Sequence, residues 1–457
     1  MTNGIELHAE IIRVDGVGLE ILAAVLKNEH DIRILDLMID DPGSLPHIIK
    51  KWHPEVVGFT TLCVDVPAAL KLARQVKEIR PAIVTIVGGT QTYLAPEAFF
   101  KPEIDHIFQY TTRANIGQLF TLLASGTAVP IIDGIRSKQL EFAFSGNKGY
   151  NEYIVPDRQS TQVYRQHYNY FGYQPAAIMQ TSLGCSKGCH FCLRWRIEGG
   201  HEVDIDLNEV IQQIKDIQEP TIMIYDNDFL NNGPRLEKFC TLLEAENISK
   251  NFICYGSVHG LLTNTKAVTQ FAHNGLRAVL VGYESFKDSE LADYHKKSSV
   301  DDNLEASKLL KDIKVDCWAS FIFHPDWDQA DFRLFRQYMR TLKPEICTFS
   351  PLTPFPNLPI YHEYKDRLLV DKEDYHFWTF GQMIIRPGKM SVRSYLFQML
   401  LSSLYINYVN NNLGYLVNKF SLGTMFRIVM GSTKLAFFML KMIIWGEHFY
   451  PAKRLKH

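Results

Sequence analysis

The strongest constraint on the fold is an alternation that begins at Ala176. Six short apolar runs, AAIMQTS, TIMIYDND, NFICYGS, RAVLVGYES, VDCWASFIF and EICTFSPL, start at Ala176, Thr221, Asn251, Arg277, Val315 and Glu345. Segments such as DLNEVIQQIKDI, RLEKFCTLLEAEN, DDNLEASKLLKDI and DFRLFRQYMRTL separate them, with apolar residues at helical spacing. Strands that are apolar throughout and alternate with amphipathic helices predict a parallel sheet covered by helices. Six such units fall short of the eight of a closed barrel, so a partial, open barrel is expected. Its site should lie at the carboxyl ends of the strands.

A second alternation precedes it. HAEIIRV, DIRILDL, EVVGFTT, AIVTIVGG and HIFQYTT read as strands, and VGLEILAAVLKNE, GSLPHIIKKWH, VPAALKLARQVKEI, LAPEAFF and NIGQLFTLLASG as the intervening segments. This predicts a doubly wound domain, whose ligands sit at strand ends. Those ends carry Asp15-Gly16, Asp36, Thr60-Thr61 and Gly88-Gly89-Thr90, all small or polar. A Tyr-rich stretch with Tyr150, Tyr153, Tyr164, Tyr168, Tyr170 and Tyr173 follows, too poor in Gly and Ser for a free linker. The boundaries expected are 1–135 for the first domain, 136–175 for a packed connecting segment, 176–370 for the barrel and 371–457 for a helical region.

The 457 residues are too many for one core, which agrees with this division. A net charge of −2 excludes a globally basic nucleic-acid binder. Eight cysteines are too few for a disulfide scaffold, and the N-terminus shows no charged region followed by an apolar core, so a cytoplasmic location is expected.

Three of the cysteines lie in Gly184-Cys185-Ser186-Lys187-Gly188-Cys189-His190-Phe191-Cys192, directly after the first barrel strand. Thiolates spaced C-x3-C-x2-C on one loop can hold three irons of a [4Fe–4S] cluster and leave the fourth without a protein ligand. A structural zinc site would need a fourth donor, for which His190 is the near candidate. A non-catalytic iron–sulfur or zinc scaffold is the alternative of a different class.

The cysteine motif, with Phe191 before its last Cys and a partial barrel around it, resembles the radical SAM superfamily. The resemblance implies Cys185, Cys189 and Cys192 as cluster ligands and S-adenosylmethionine on the open iron, cleaved to a 5′-deoxyadenosyl radical. It further implies Phe191, Asp226, Asn227, Asp228, Ser257, Glu284, Ser285 and Ser320 as the surroundings of S-adenosylmethionine. Asp226-Asn227-Asp228-Phe229 is similar to the D-x-D-F of the cobalamin-dependent branch, and Gly282-Tyr283-Glu284-Ser285 to the family's G-x-E-S. Tyr283 and His324 are candidate pocket residues, and no general acid or base is assigned.

The N-terminal segment resembles the cobalamin-binding domain of that branch in Val56-Val57-Gly58-Phe59-Thr60-Thr61-Leu62 and Val87-Gly88-Gly89-Thr90. This implies a Rossmann-like cobalamin site formed by Asp15, Gly16, Thr60, Thr61, Leu62, Gly88, Gly89 and Thr90. A D-x-H-x-x-G motif is missing, so no histidine would ligate cobalt, and Tyr110-Thr111-Thr112-Arg113 stands where a G-E-G-E turn is usual. Pro156-Asp157-Arg158, Cys192-Leu193-Arg194-Trp195 and Pro351-Leu352-Thr353-Pro354-Phe355-Pro356 are similar to the hopanoid C-3 methylase-like group. The function implied is C-methylation of an unactivated carbon in a large apolar, lipid-like or natural-product substrate, with a flavodoxin- or ferredoxin-type electron donor. Oxidative cyclisation or carbon–carbon coupling without net methylation is the alternative within the superfamily.

The tail is charged differently from the rest. Residues 388–457 hold nine Lys or Arg (Lys389, Arg393, Lys419, Arg427, Lys434, Lys441, Lys453, Arg454 and Lys456) against one acid, Glu447. Arg427, Lys434 and Lys441 recur every seven residues and share a helix face. Two arrangements remain open: a basic amphipathic helix on the inner face of an anionic membrane, or a helix packed on the barrel with its basic face in water.

Overall fold

The computed structural model describes residues 12–14, 16–41, 43–144, 149–407, 413–420 and 422–451. The first half comprises β1 (Ile12–Arg13), α1 (Val17–Leu26), α2 (Ser44–Trp52), β2 (Val56–Thr60), α3 (Val66–Ile79), β3 (Val84–Gly88), α4 (Thr90–Leu94), β4 (His106–Phe108), α5 (Arg113–Ala124), β5 (Ile135–Ser137) and β6 (Asn169–Tyr170). Strands β2, β3 and β4 form a parallel sheet in that order, and β5 closes one edge antiparallel to β4. The helix starts follow from sequence. Pro67 opens α3, and the Thr112 hydroxyl accepts from the Asn115 N–H to cap α5.

Two expected strands differ from the prediction. Of HAEIIRV, only Ile12 and Arg13 are paired among the described residues, and they pair antiparallel with Tyr170 and Asn169, not with the sheet. Asp31–Leu37 forms no ladder at all. Its polar ends are tied elsewhere: the Trp52 indole donates to Asp31 (3.1 Å), and the Asp36 carboxylate accepts from the Met38 N–H (2.9 Å). Ile32, Ile34, Leu35 and Leu37 border a cavity. Alternation reports which side chains share a face; it does not supply a neighbouring backbone at ladder distance.

The second half holds β7 (Ala176–Met179), β8 (Ser182–Leu183), α6 (Arg194–Glu198), β9 (Val203–Asp204), α7 (Leu207–Asp216), β10 (Thr221–Ile224), α8 (Gly233–Ala245), β11 (Asn251–Gly256), α9 (Val258–Thr263), α10 (Thr265–His273), β12 (Leu276–Glu284), α11 (Asp288–Asp293), α12 (Val300–Asp312), β13 (Asp316–Phe323), α13 (Gln329–Leu342) and β14 (Ile346–Pro351). After them come α14 (Pro359–Tyr364), α15 (Val392–Tyr405), α16 (Leu413–Lys419) and α17 (Leu422–Trp445). Strands β7, β10, β11, β12, β13 and β14 are neighbours in chain order and all parallel, an open six-stranded barrel. The chain is thus an α/β protein with a smaller mixed sheet ahead of a partial barrel and a helical C-terminal region.

Period-2 alternation divides the barrel strands between two cores. Ala177, Ile222, Ile224, Phe252, Val279, Val281, Cys317 and Phe321 point outward beneath the helices. Ile178, Met223, Ile253, Ala278, Trp318 and Ile346 point inward and pack on Tyr170 and Phe171. The Tyr-rich segment therefore plugs the amino end of the barrel, and its Arg165 is ion-paired with Glu20 of α1 (3.1 Å) and with Glu219 ahead of β10. The carboxyl ends are left for chemistry.

Candidate active site at the facing strand ends

The cysteine loop leaves β8 at Gly184, whose φ of 82° suits glycine, and a Cβ there would collide with the His201 carbonyl oxygen at 1.8 Å. Loop bonds shape the turn: Cys185 N–H to the Gly199 carbonyl (3.0 Å), Cys192 N–H to Cys189 (3.1 Å), and the Trp195 indole N–H to Cys189 (2.9 Å). Phe191 packs edge-on to Tyr294, with centroids 5.2 Å apart. All three thiols are free and partly buried, and burial raises each of them, Cys192 to about 11. Metal binding would deprotonate them.

Among the described residues, no three His, Cys, Asp or Glu side chains converge on one point as a single ion requires. A structural zinc would need four donors, each about 2.0–2.3 Å from one centre. A four-iron cluster gives each thiolate its own iron and needs no such convergence. His190, the candidate fourth zinc donor, stacks on His295 and lies 3.3 Å from Glu363. The donor set on this loop fits a cluster.

The next strand end carries three polar side chains with different tasks. Asp226 is fully buried, and its oxygens accept from the Thr181 N–H (2.7 Å) and hydroxyl (2.5 Å). Burial raises its pKa, opposed by those bonds. It anchors the turn before the cysteine loop. Asn227 donates to the Gly184 carbonyl (2.6 Å) and Glu198 (2.8 Å) and accepts from Arg194 (2.5 Å), so it clamps the loop to α6. Asp228 accepts from the Ser257 N–H (2.9 Å) and hydroxyl (2.7 Å), and the Lys187 ammonium lies 2.5 Å from it. A carboxylate already holding an ammonium at the strand ends has the chemistry to receive an amino-acid ammonium.

Glu284 ends β12 in the left-handed region (φ 64°), beside a register shift against β13. Such strain in a non-glycine residue concentrates at functional sites. Its carboxylate lies 3.3 Å from the half-buried Lys296 ammonium. Burial lowers the Lys296 pKa, but Glu284 and Cys189 outweigh it and hold the amine charged. Ser320 lies inward on β13 at the level of Gly282.

Two of the predicted residues are turned away from the site. Ser285 is buried and donates to Glu290 (2.5 Å), within a network that includes the Trp327 indole. Tyr283 points outward, packs on Phe321 and meets the Cys317 sulfur at 3.3 Å, because its neighbour Gly282 takes the inward place. His324 has both ring nitrogens engaged, by the Asp326 N–H (3.1 Å) and Tyr364 (3.3 Å). Lys187, Arg194 and Lys296 escaped the sequence reading. Lys187 lies inside the cysteine loop and was legible there; Lys296 is brought in only by the fold.

The small sheet presents its own strand ends to this site. Helix α4, which starts at Thr90, packs against α6, and Asn357 beyond β14 donates to the Leu94 carbonyl (2.7 Å). Gly89 has φ 106°, and a Cβ there would lie 2.7 Å from both the N and O of Thr61, so the two loops interlock. Thr61 reinforces them through bonds to the Gly88 carbonyl (2.9 Å). Gly16, Thr60 and Leu62 line a cavity of about 1760 Å3, together with Gly58, whose added Cβ would meet nothing within 4 Å. The volume exceeds the 300–1,000 Å3 usual for drug-sized ligands and fits a group as large as cobalamin. Thr61, Gly88, Gly89 and Thr90 do not line it, and Asp15 lies outside the described residues.

The radical SAM superfamily model matches residues 179–339, and that of the B12 binding domain residues 13–116. The chain is a cobalamin-dependent radical SAM enzyme. Its cofactors are a [4Fe–4S] cluster, S-adenosylmethionine and cobalamin. This radical SAM enzyme is 24% identical over 379 residues to hopanoid C-3 methylase of Methylococcus capsulatus, covering 82% of this chain and 73% of the relative. It is 24% identical to anaerobic magnesium-protoporphyrin IX monomethyl ester cyclase of Rubrivivax gelatinosus, covering 79% and 67%. Among solved structures it resembles the cobalamin-dependent S-adenosylmethionine radical enzyme OxsB with a TM-score of 0.69 at 14% identity, covering 95% of this chain and 70% of that one. The C-terminal part of its B12 domain follows the expected architecture, while the two N-terminal strands depart from it as described above.

Proposed function

We propose that this enzyme methylates an unactivated carbon of a large, apolar, lipid-like substrate of the hopanoid or polycyclic kind. The observation that carries the reading is the facing of two strand-end sites, with α4 of the small sheet against α6 of the barrel. When bound, the cluster and S-adenosylmethionine supply a hydrogen-abstracting radical and cobalamin supplies the methyl group. Cys185, Cys189 and Cys192 hold the cluster. Asp228 receives the ammonium of S-adenosylmethionine in place of Lys187, and Glu284, positioned beside Lys296, accepts from the ribose hydroxyls. Asp226 and Asn227 fix the loop, while Phe191 and Tyr294 exclude water beside it. Gly16, Thr60 and Leu62 border cobalamin, with the interlocked Thr61 and Gly88–Thr90 loops behind them.

Besides Gly16, Thr60 and Leu62, which border cobalamin in this reading, the same cavity is lined by Leu396, Met399, Phe438 and Met442, an apolar wall that supports a lipid-like substrate. A flavodoxin- or ferredoxin-type protein is the electron donor in this reading, and the basic tail makes a peripheral contact with the inner face of the membrane. The similarity to a cyclase over 79% of the chain favours oxidative cyclisation as the second reading. Mass spectrometry of products from the anaerobically reconstituted enzyme separates the two. Methylation adds the mass of a methylene group, with two equivalents of S-adenosylmethionine consumed; loss of hydrogen without that gain would overturn the first reading.

A further inference from the structure

Helix α17 runs for 24 residues, about 36 Å at 1.5 Å per residue. Its two faces differ in what they meet. Met442 is buried in the barrel's outer core, with Phe438, Met439 and Ile443 packed beside it. Leu435, Phe438, Met439 and Met442 also form one wall of the large cavity. The opposite face is exposed and apolar: Phe426, Met430, Phe437, Leu440 and Ile444 are 42–69% accessible. At about 100° per residue these five fall within about 40° of a single line along the helix. Arg427, Lys434 and Lys441 lie about 60 to 100° round from that line, all on the same side.

An apolar stripe bordered by a cationic row matches a surface that is negatively charged outside and hydrocarbon beneath. The acid nearest the helix end, Glu447, is ion-paired with Arg386 at 2.9 Å. The helix is long and apolar enough to cross a membrane. A spanning pose, however, would put the Lys434 ammonium near the bilayer centre, where a charge is costly, and would strip the inner face from the protein. Lying in the plane satisfies both faces at once.

We infer that α17 lies in the plane of an anionic bilayer, with its Phe426–Ile444 stripe inserted and its inner face walling the cavity that receives a bilayer-dissolved lipid. The cavity reaches the surface at Phe380, which lines it and is 63% exposed. A lipid moving past Phe380 and α17 would pass from leaflet to cavity without crossing water. The docking face stands on its own observations; the lipid transfer rests on the apolar substrate proposed above.

The test uses the full-length holoenzyme with phosphatidylcholine vesicles, with and without one-quarter phosphatidylglycerol, and dehydroergosterol as a polycyclic lipid probe. Co-sedimentation should be at least tenfold stronger with the anionic vesicles and should weaken as salt is raised. Arg427→Glu/Lys434→Glu/Lys441→Glu should abolish the preference for anionic lipid. Phe426→Ser/Phe437→Ser/Ile444→Ser should abolish binding to either vesicle, and both variants should form 5′-deoxyadenosine as the parent does. Equal binding to neutral vesicles, or a self-association that the Ser variant disrupts while vesicles go unbound, would overturn the docking. Enzyme re-isolated from anionic vesicles should carry dehydroergosterol, and Met439→Trp should bind vesicles but carry several-fold less. Docking without dehydroergosterol pick-up would overturn the transfer step alone. The methyltransferase reading would still be judged by product mass.

Discussion

The two strand-end sites are built in opposite ways. In the barrel, the polar groups are tied down: Asp226, Asn227 and Asp228 are held by Thr181, Gly184 and Ser257, and Glu284 is held against Lys296. In the small sheet, side chains are small, backbone packs on backbone at Gly89 and Thr61, and a void opens along β2. In the proposed reading the first site orients a small charged cofactor around a reactive centre, and such groups must be preorganised. The second admits a large cofactor along its surface and needs room more than donors. One sheet specifies by bonds, the other by absence of side chains.

This contrast can be broken at four points. The largest effect falls on the cysteine loop, where Cys185→Ala, Cys189→Ala or Cys192→Ala should each abolish 5′-deoxyadenosine formation, with cobalamin retained in the absorbance spectrum. If cobalamin were lost as well, the sites would not be separable. In the small sheet, Gly89→Ala forces a Cβ to 2.7 Å from Thr61 backbone atoms at φ 106° and should cost about 3 kcal/mol or more. Gly58→Ala meets nothing within 4 Å and should leave the denaturation midpoint unchanged while weakening cobalamin retention. Equal midpoints for the two variants would refute the interlocked-loop account.

A somewhat smaller loss is expected in the barrel. Asp226→Ala strands the buried Thr181 N–H and should cost about 2–3 kcal/mol, read by denaturant titration. The smallest effect is a pH response of the small sheet. Burial holds His106, which bonds to Ser137 at 2.8 Å, at about 4 instead of 6.5. Above 6.5 it is neutral both folded and unfolded. As pH falls towards 4 the unfolded chain takes up a proton that the folded chain refuses, so stability drops, by about 2 kcal/mol between pH 7 and 5. His106→Phe should flatten that slope, and an unchanged slope would assign the response to other groups.

The barrel was more legible than the small sheet for a physical reason. Its six strands are buried on both faces, so each shows as a continuous apolar run, and all six pair in chain order. In the N-terminal segment, Asp31–Leu37 shows the same local signal but has no partner edge, which a periodicity cannot reveal. The three cysteines were plain because their spacing is local. Lys296 became visible only after folding, since its partner Glu284 lies on a different element. Ser285 and Tyr283 sit in the right motif yet face the wrong way: Tyr283 alternates with the inward Gly282, and Ser285 follows the register shift between Gly282 and Glu284.

The most direct test of the central claim is the yield of 5′-deoxyadenosine from anaerobically reconstituted enzyme supplied with S-adenosylmethionine and a low-potential reductant. Parallel samples should have Cys185, Cys189 and Cys192 all changed to Ala. The account predicts a cobalamin-containing parent that forms 5′-deoxyadenosine and a triple variant that forms none. Undiminished cleavage by the triple variant would contradict it.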